Sequence, residues 1–377
     1  MLDAILDLVR AARPGEGDPA KCPPVPKFPE GWQLGKPDLI LTMPEAFEVS
    51  AEGRDIYWNF VLPLNLPEDK YVRAIEFRPQ ARSVVHHSLY YLDTSGAART
   101  FDARDPKPGY NGMNRSNRQF DLLGGWAVGG EAVKLPGGLA MPLPLPKDKT
   151  KGTDLVVQAH FHPSGKAESV TLTFALYFAT EKPARTLVRL QLPPHFGLFS
   201  NVDIPAGKAD FKVADRFTLP VDVDLVGAAA HAHYLGKSLK TTATLPDGTT
   251  KSLFYVKDWN FNWQGQYLYK EFVRLPKGTV LTGEVAWDNS AANPRNPRTP
   301  PARVKWGEGS TDEMGSVGFS MVAAQEKDTS ELQMAIRLHT LEVLQDARRK
   351  GYVVDWDRLG VPPPKEWTDP LPPAPGK

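Results

Sequence analysis

The stretch Val223-Asp-Leu-Val-Gly-Ala-Ala-Ala-His-Ala-His-Tyr-Leu-Gly-Lys237 decides how the chain is read. Its small, mostly apolar residues show no helical period, so Val223 to Ala230 reads as a strand entering a core. His231 and His233 end it two positions apart, and side chains at that spacing on an extended chain share a face. Gly236 then lets the chain turn away. Two converging imidazoles make half of a site for copper, zinc, iron or nickel. The plainer reading is a pair of packed or exposed histidines.

The same texture runs outward from this stretch. Short strand-like runs separated by Pro, Gly, Asp and Asn turns fill residues 39 to 325, among them 56–62, 71–77, 84–92, 155–161, 170–178, 187–192, 239–245 and 280–287. Many short strands with no helical period between them predict an all-β fold built of sandwiches. At 377 residues the chain is long enough for two cores, and Glu181-Lys-Pro-Ala-Arg185 is the expected boundary. This gives a helix and Pro-rich linker over 1–38, a first sandwich over 39–183, a second over 184–325, and a helix with a Pro-rich tail over 326–377.

Both ends carry helix signals. Leu2, Ile5, Leu6 and Val9 share a helical face that Pro14 ends. Asp3 and Asp7 interrupt it and no cleavage site follows, so it does not read as a signal peptide. Near the other end, Asp328 and Glu331 form a capping-box pattern, and Leu332, Ile336, Val343 and Ala347 line one face. Arg348-Arg-Lys-Gly351 closes that helix.

Composition excludes several classes. The net charge of +1 leaves no electrostatic footprint for nucleic acid or an anionic membrane. No apolar run approaches the about 20 residues a membrane span needs. The lone cysteine, Cys22, permits no internal disulfide and no Cys-based zinc or haem motif.

Six of the eight histidines sit in or at the end of apolar strand-like runs. Besides His231 and His233, these are His86 and His87 in Val84-Val-His-His-Ser88, and His160 and His162 in Val156-Val-Gln-Ala-His-Phe-His162. Adjacent histidines on a regular strand point to opposite faces, so His86 and His87 can serve one metal only at a bulge or a strand end. His195 reads as a loop residue and His339 as part of the C-terminal helix. Met314 alone would be a core filler, but a thioether beside two imidazoles is a soft donor set that favours Cu(I).

Four elements in order, Val85-His-His-Ser88, Val157-Gln-Ala-His-Phe-His162, His231-Ala-His-Tyr-Leu-Gly-Lys237 and Thr311-Asp-Glu-Met314, give the chain a resemblance. It resembles the copper type II, ascorbate-dependent monooxygenases, the family of peptidylglycine α-hydroxylating monooxygenase and dopamine β-monooxygenase, over residues 40–325. The bacterial branch is the most similar, through Gly35-Lys-Pro-Asp-Leu, Asp258-Trp-Asn-Phe-Asn-Trp-Gln264 and Trp287-Asp-Asn-Ser-Ala-Ala-Asn-Pro294.

The resemblance implies two tandem jelly-roll-type β-sandwiches with one copper site each, hence two copper per chain. His86, His87 and His160 would hold the electron-transfer copper, with His162 as the alternative third ligand. His231, His233 and Met314 would hold the copper that binds O₂, and they are the implied catalytic residues. Ascorbate or another one-electron donor would reduce both, and an aliphatic C–H of a small organic substrate would be hydroxylated. Members of the branch often carry an N-terminal haem domain, which implies a haem protein as a possible electron donor. The relatives imply a periplasmic or extracellular location, although residues 1–12 carry no signal peptide, so the start is expected to be internal to a longer polypeptide.

The chain departs from the peptide-hydroxylating members where they hold a peptide carboxylate. Their Arg before the His-x-His, and their Asn and Tyr after the Met, are here Ala229, Ser316 and Gly318. A peptidylglycine substrate is therefore not expected. Two readings outside the family remain: a copper-binding or delivery protein without turnover, and a zinc hydrolase. Met314 argues against zinc, which takes N, O and thiolate ligands.

Overall fold

The computed structural model describes residues 31–111, 121–128, 130–148, 151–353, 356, 363 and 365–368. The N-terminal helix and most of the linker and tail read from the sequence lie outside the described residues.

Two antiparallel sandwiches follow one another along the chain. In the first, one sheet runs Leu39–Thr42, Leu172–Phe178, Lys70–Pro79 and then the short strands Val133–Lys134 and Met141–Leu143. The facing sheet runs Ile56–Pro63, Asp154–Phe161, Val85–Asp93 and Asp121–Ala127, with Tyr110–Asn111 added at its edge. In the second sandwich, one sheet runs Val188–Leu192, Gly315–Ala323, Val223–Ala232 and Gln266–Leu275. Its partner runs Phe211–Thr218, Val280–Trp287, Gly236–Thr244 and Thr250–Val256.

Numbering eight principal strands in chain order, with the two short strands of the first sandwich sharing the sixth place, gives the same two sheets in both halves. They are 1-8-3-6 and 2-7-4-5, the connectivity of a jelly roll. Each half also places a two-stranded ladder between strands 1 and 2 and strands 7 and 8. These are Phe47–Val49 with Glu168–Val170, and Asp203–Ile204 with Val304–Lys305.

Each sandwich has its own core. Phe161, Phe174, Leu155 and Leu172 are buried in the first, and Trp287, Phe319, Leu190 and Leu192 in the second. The run read as 170–178 is two strands, Glu168–Val170 and Leu172–Phe178, which belong to different sheets.

The C-terminal helix, Thr329–Arg349, buries Leu332 against the second core and Leu344 and Ala347 against Phe199. Its capping box does not form. The 3₁₀ turn Glu326–Asp328 holds Asp328 at helical angles (φ −90°, ψ −3°), and its side chain makes no cap hydrogen bond. Thr329 Oγ1 instead donates to Glu326 Oε2 at 3.1 Å. No helix among the described residues is long and apolar enough to cross a membrane.

The 2-7-4-5 sheet of the first sandwich meets the 1-8-3-6 sheet of the second. Arg189 donates to the carbonyls of Leu122 and Leu123, and Gln266 donates to Gly125 O at 3.1 Å. Tyr57 Oη donates to Glu308 O at 2.6 Å. Six of the eight histidines cluster near this junction.

Candidate metal centre

Strand Val85–Asp93 pairs with Asp154–Phe161, and the register slips at one point. Val85 faces Phe161 and His87 faces His160, so His86 has no partner across the ladder. It is the extra residue of a β-bulge, which turns a side chain out of the regular alternation. Two adjacent histidines thereby reach one point. His86 Nδ1 and His160 Nδ1 each lie 3.2 Å from His87 Nδ1. One ligand nitrogen from each of the three falls within 4.8 Å of the others, a group that could hold a metal ion.

Burial sets the protonation of this triad. It pushes His86 down to about 3, with His160 and His231 adding repulsion, and holds His87 well below the ordinary imidazole range. His160 is also lowered, by burial above all. Three neutral imidazoles with converging nitrogens repel unless something positive is shared among them. A proton is a poor solution where burial depresses every pKa, whereas neutral imidazoles are good ligands for copper, zinc, iron or nickel.

Asp55, which the sequence reading did not single out, backs the triad. Its Oδ2 lies 3.1 Å from His160 Nε2, within hydrogen-bond reach though at a poor angle. The carboxylate accepts, so the proton of His160 belongs on Nε2 and Nδ1 is left free. Burial alone would raise the Asp55 carboxyl, but hydrogen bonds from His160 and Ser310 outweigh it and hold it far below the usual range. His162 takes the other oxygen, with Nδ1 at 2.7 Å from Oδ1, and its side chain is 54% exposed. The structure thus brings His160, and not His162, to His86 and His87.

The second set lies at the end of strand Val223–Ala232. The rings of His231 and His233 are 5.2 Å apart. Gln264 Oε1 lies 2.7 Å from His231 Nδ1, and Gln264 Nε2 donates to Phe261 O at 2.8 Å, which fixes the orientation of the amide. His231 therefore donates from Nδ1 and keeps the lone pair on Nε2. His233 Nδ1 donates in the same way to Asp312 O at 3.1 Å. Burial brings His231 down to about 4 and His233 well below its ordinary value. Met314 is 2% exposed and directly precedes Gly315, which pairs with Ala232 between the two histidines.

Glu313, also missed in the sequence, is fully buried. It accepts from the amides of His233 and Leu235 and from Trp287 Nε1, at 3.1, 2.6 and 2.8 Å. Burial nevertheless pushes its carboxyl up to about 8. It ties the His-x-His turn to the loop that carries Met314.

The two sets belong to separate sandwiches yet face one another. The rings of His87 and His231 are 6.3 Å apart. Phe261 lies between the sets, stacked on His86 at 4.2 Å and edge-on to His233 at 5.7 Å. Within the aromatic run around it, Trp259 is buried at 2% exposure while Trp263 is 59% and Tyr267 42% exposed, so the run is only partly core. Ser316 is buried and accepts from Gln191 Nε2 at 2.9 Å.

The remaining histidines lie apart. His339 pairs with Asp215 at 2.9 Å, and His195 sits in a turn against Phe199. A cavity of about 1140 Å³ lies between the C-terminal helix and the second sandwich and is lined by none of the six clustered histidines.

The fold and site together define a tandem jelly-roll protein with a buried histidine triad that could hold a metal ion. No family model and no curated protein matches the chain. Among solved structures it is similar to peptide:N-glycanase F (PNGase F), at 10% identity and a TM-score of 0.34 over 76% of this chain and 96% of that one. It is also similar to PNGF-II (10%, TM-score 0.32, 76% and 65%) and to the major capsid protein P2 of bacteriophage PM2 (9%, TM-score 0.28, 76% and 97%). Similarity at this level carries no argument about activity.

Proposed function

We propose that the protein is a copper-dependent monooxygenase that hydroxylates an aliphatic C–H of a small organic substrate, using O₂ and a one-electron reductant such as ascorbate. The observation that carries this reading is the pairing of donor sets: a triad of neutral imidazoles facing a His-x-His with Met314 at the end of the adjoining strand. The order of the four sequence elements supports it. Copper bound at these sets would supply one-electron transfer and O₂ activation.

The chain's own residues have separable tasks in this reading. His86, His87 and His160 bind through nitrogens that burial keeps unprotonated. Asp55 orients His160 and Gln264 orients His231, each fixing which ring nitrogen faces the site. Met314 adds the soft donor that favours the reduced ion. Phe261 fills the gap between His86 and His233 with apolar surface and keeps water out of it.

The test is metal analysis of purified protein followed by O₂ uptake. Two copper per chain, and ascorbate-dependent O₂ consumption coupled to a hydroxylated product, are the expected results. Copper without turnover would instead favour a copper-binding or delivery protein, and one zinc would sink the proposal. Glycine-extended peptides are expected to be poor substrates, given Ala229, Ser316 and Gly318.

A further inference from the structure

A second cavity, of about 340 Å³, opens between the two sheets of the first sandwich where the second sandwich docks on it. Two hydrogen-bonding groups on its wall are unused. Tyr90 is 2% exposed, and its hydroxyl is buried with no hydrogen-bond partner among the described residues. Arg73 Nε is likewise buried and unpartnered. Buried polar groups are nearly always satisfied, so two orphans on one cavity ask for a reason.

Charge points the same way. The wall holds four arginines and two glutamates, an excess of two positive charges. Glu76 is committed: it accepts from Arg78, from the amides of Gln33 and Leu34, and from Tyr177 Oη. Among the described residues Arg189 bonds to two carbonyls and to the sulfur of Met141. Among the described residues neither Arg73 nor Arg189 has a carboxylate partner. The remaining wall includes Phe77 and Trp126, which pack edge-to-face with ring centroids 5.2 Å apart.

We infer that this cavity is a binding site for a small, planar organic anion, held by Arg73, Arg189 and the Tyr90 hydroxyl beside the Phe77–Trp126 pair. Guanidinium groups suit planar oxyanions because their donors match them two at a time, and the volume lies within the usual range for small-molecule sites. The site adjoins the triad along one strand pair, since Trp126 faces Ser88 and the next residue, Ala127, faces His87. Two sources share this chemistry: an enediolate such as ascorbate, and an aromatic carboxylate.

Calorimetry and tryptophan fluorescence on the metal-free, full-length protein separate them, with ascorbate and benzoate as probes. At least one is expected to bind. Selective binding of ascorbate assigns the site to a reductant, and binding of benzoate assigns it to a carboxylate. Tyr90→Phe and Arg73→Met should each weaken that binding at least tenfold. Tyr90→Phe should also melt no lower than wild type without ligand, because its hydroxyl bonds to nothing. The inference is overturned if neither anion binds, or if both variants bind as tightly as wild type. No metal is involved, so either result leaves the copper reading to its own test.

Discussion

Ser310 Oγ donates to Asp55 Oδ2 at 2.6 Å, joining the loop that leads to Met314 in one sandwich to the carboxylate behind His160 in the other. The Ser310 amide adds a second bond at 3.2 Å, and Tyr57, two residues from Asp55, both stacks on His160 and donates to Glu308 O. One short segment therefore fixes a triad histidine and the docking of the opposite domain.

Asp55→Asn should weaken metal binding at the triad by about 10–100-fold, the usual cost of losing the partner that orients a ligating histidine. Ser310→Ala should have a smaller effect in the same direction, because Asp55 keeps its contacts with His160 and His162. Titration of copper against a competing chelator measures both. Equal affinities in wild type and Asp55→Asn would show that the carboxylate only bridges the domains.

His160 and His162 offer a comparison within one strand end. His160→Ala removes one of the three converging nitrogens and should cost the triad its metal. His162→Ala removes an exposed ring that bonds to Asp55, and metal content should stay near the wild-type value. Metal analysis of the two proteins side by side checks this, and the reverse order would exchange their roles.

Met314→Ile should fold, at a cost below about 1.5 kcal/mol for an apolar swap of similar bulk. It leaves His231 and His233 without the thioether, so Cu(I) should be held less well relative to Cu(II). The triad should still bind copper and accept an electron from ascorbate, while hydroxylation collapses. Copper content, ascorbate reduction and O₂ uptake together test this. Normal coupled turnover in the variant would return Met314 to core filler.

Acid sensitivity should be traceable to Asp224. It is 6% exposed and bonds to Arg185 at 2.5 Å and Arg274 at 2.6 Å. Burial would raise its carboxyl, but the two guanidinium groups outweigh that and lower it below 3.8. A carboxyl depressed in the folded state contributes stability above its unfolded pKa, and that stability is lost as pH falls through the folded value. Asp224→Asn should therefore cost about 1–3 kcal/mol near neutrality, less than a fully buried pair because both arginines are partly exposed. Below about pH 4 the gap between the two proteins should close. Denaturant melts across pH 3 to 8 check it, and a constant gap would exclude Asp224 as the source.

The sandwiches were legible where strands are apolar. Residues 280–287 read from the sequence coincide with the strand Val280–Trp287, which is buried at alternate positions and throughout its last three. Gln266–Leu275 was harder to see because it is mostly exposed, with only Leu275 fully buried, and its pattern gives little alternation. At the site, the histidines announced themselves by residue type, and the adjacency of His86 and His87 left a bulge or a strand end as the ways to serve one metal, of which the structure has the bulge. Asp55 and Glu313 carried no local signal. Each acts on histidines distant in sequence, on a neighbouring strand of its own sandwich, and an acidic residue in a loop is ordinarily just solvated. The nearness of the two sets was equally hidden, since separate domains do not announce which sheets will meet.

The shared strand order of the two halves bears on their history. The triad occupies the fourth and seventh strands of one half, in its 2-7-4-5 sheet. His231, His233 and Met314 occupy the third strand and the threshold of the eighth in the other half, in its 1-8-3-6 sheet. No rotation that superposes one half on the other brings these residues into register. If the halves descend from one ancestral jelly roll, the two sets are therefore not duplicated copies of one ancestral site.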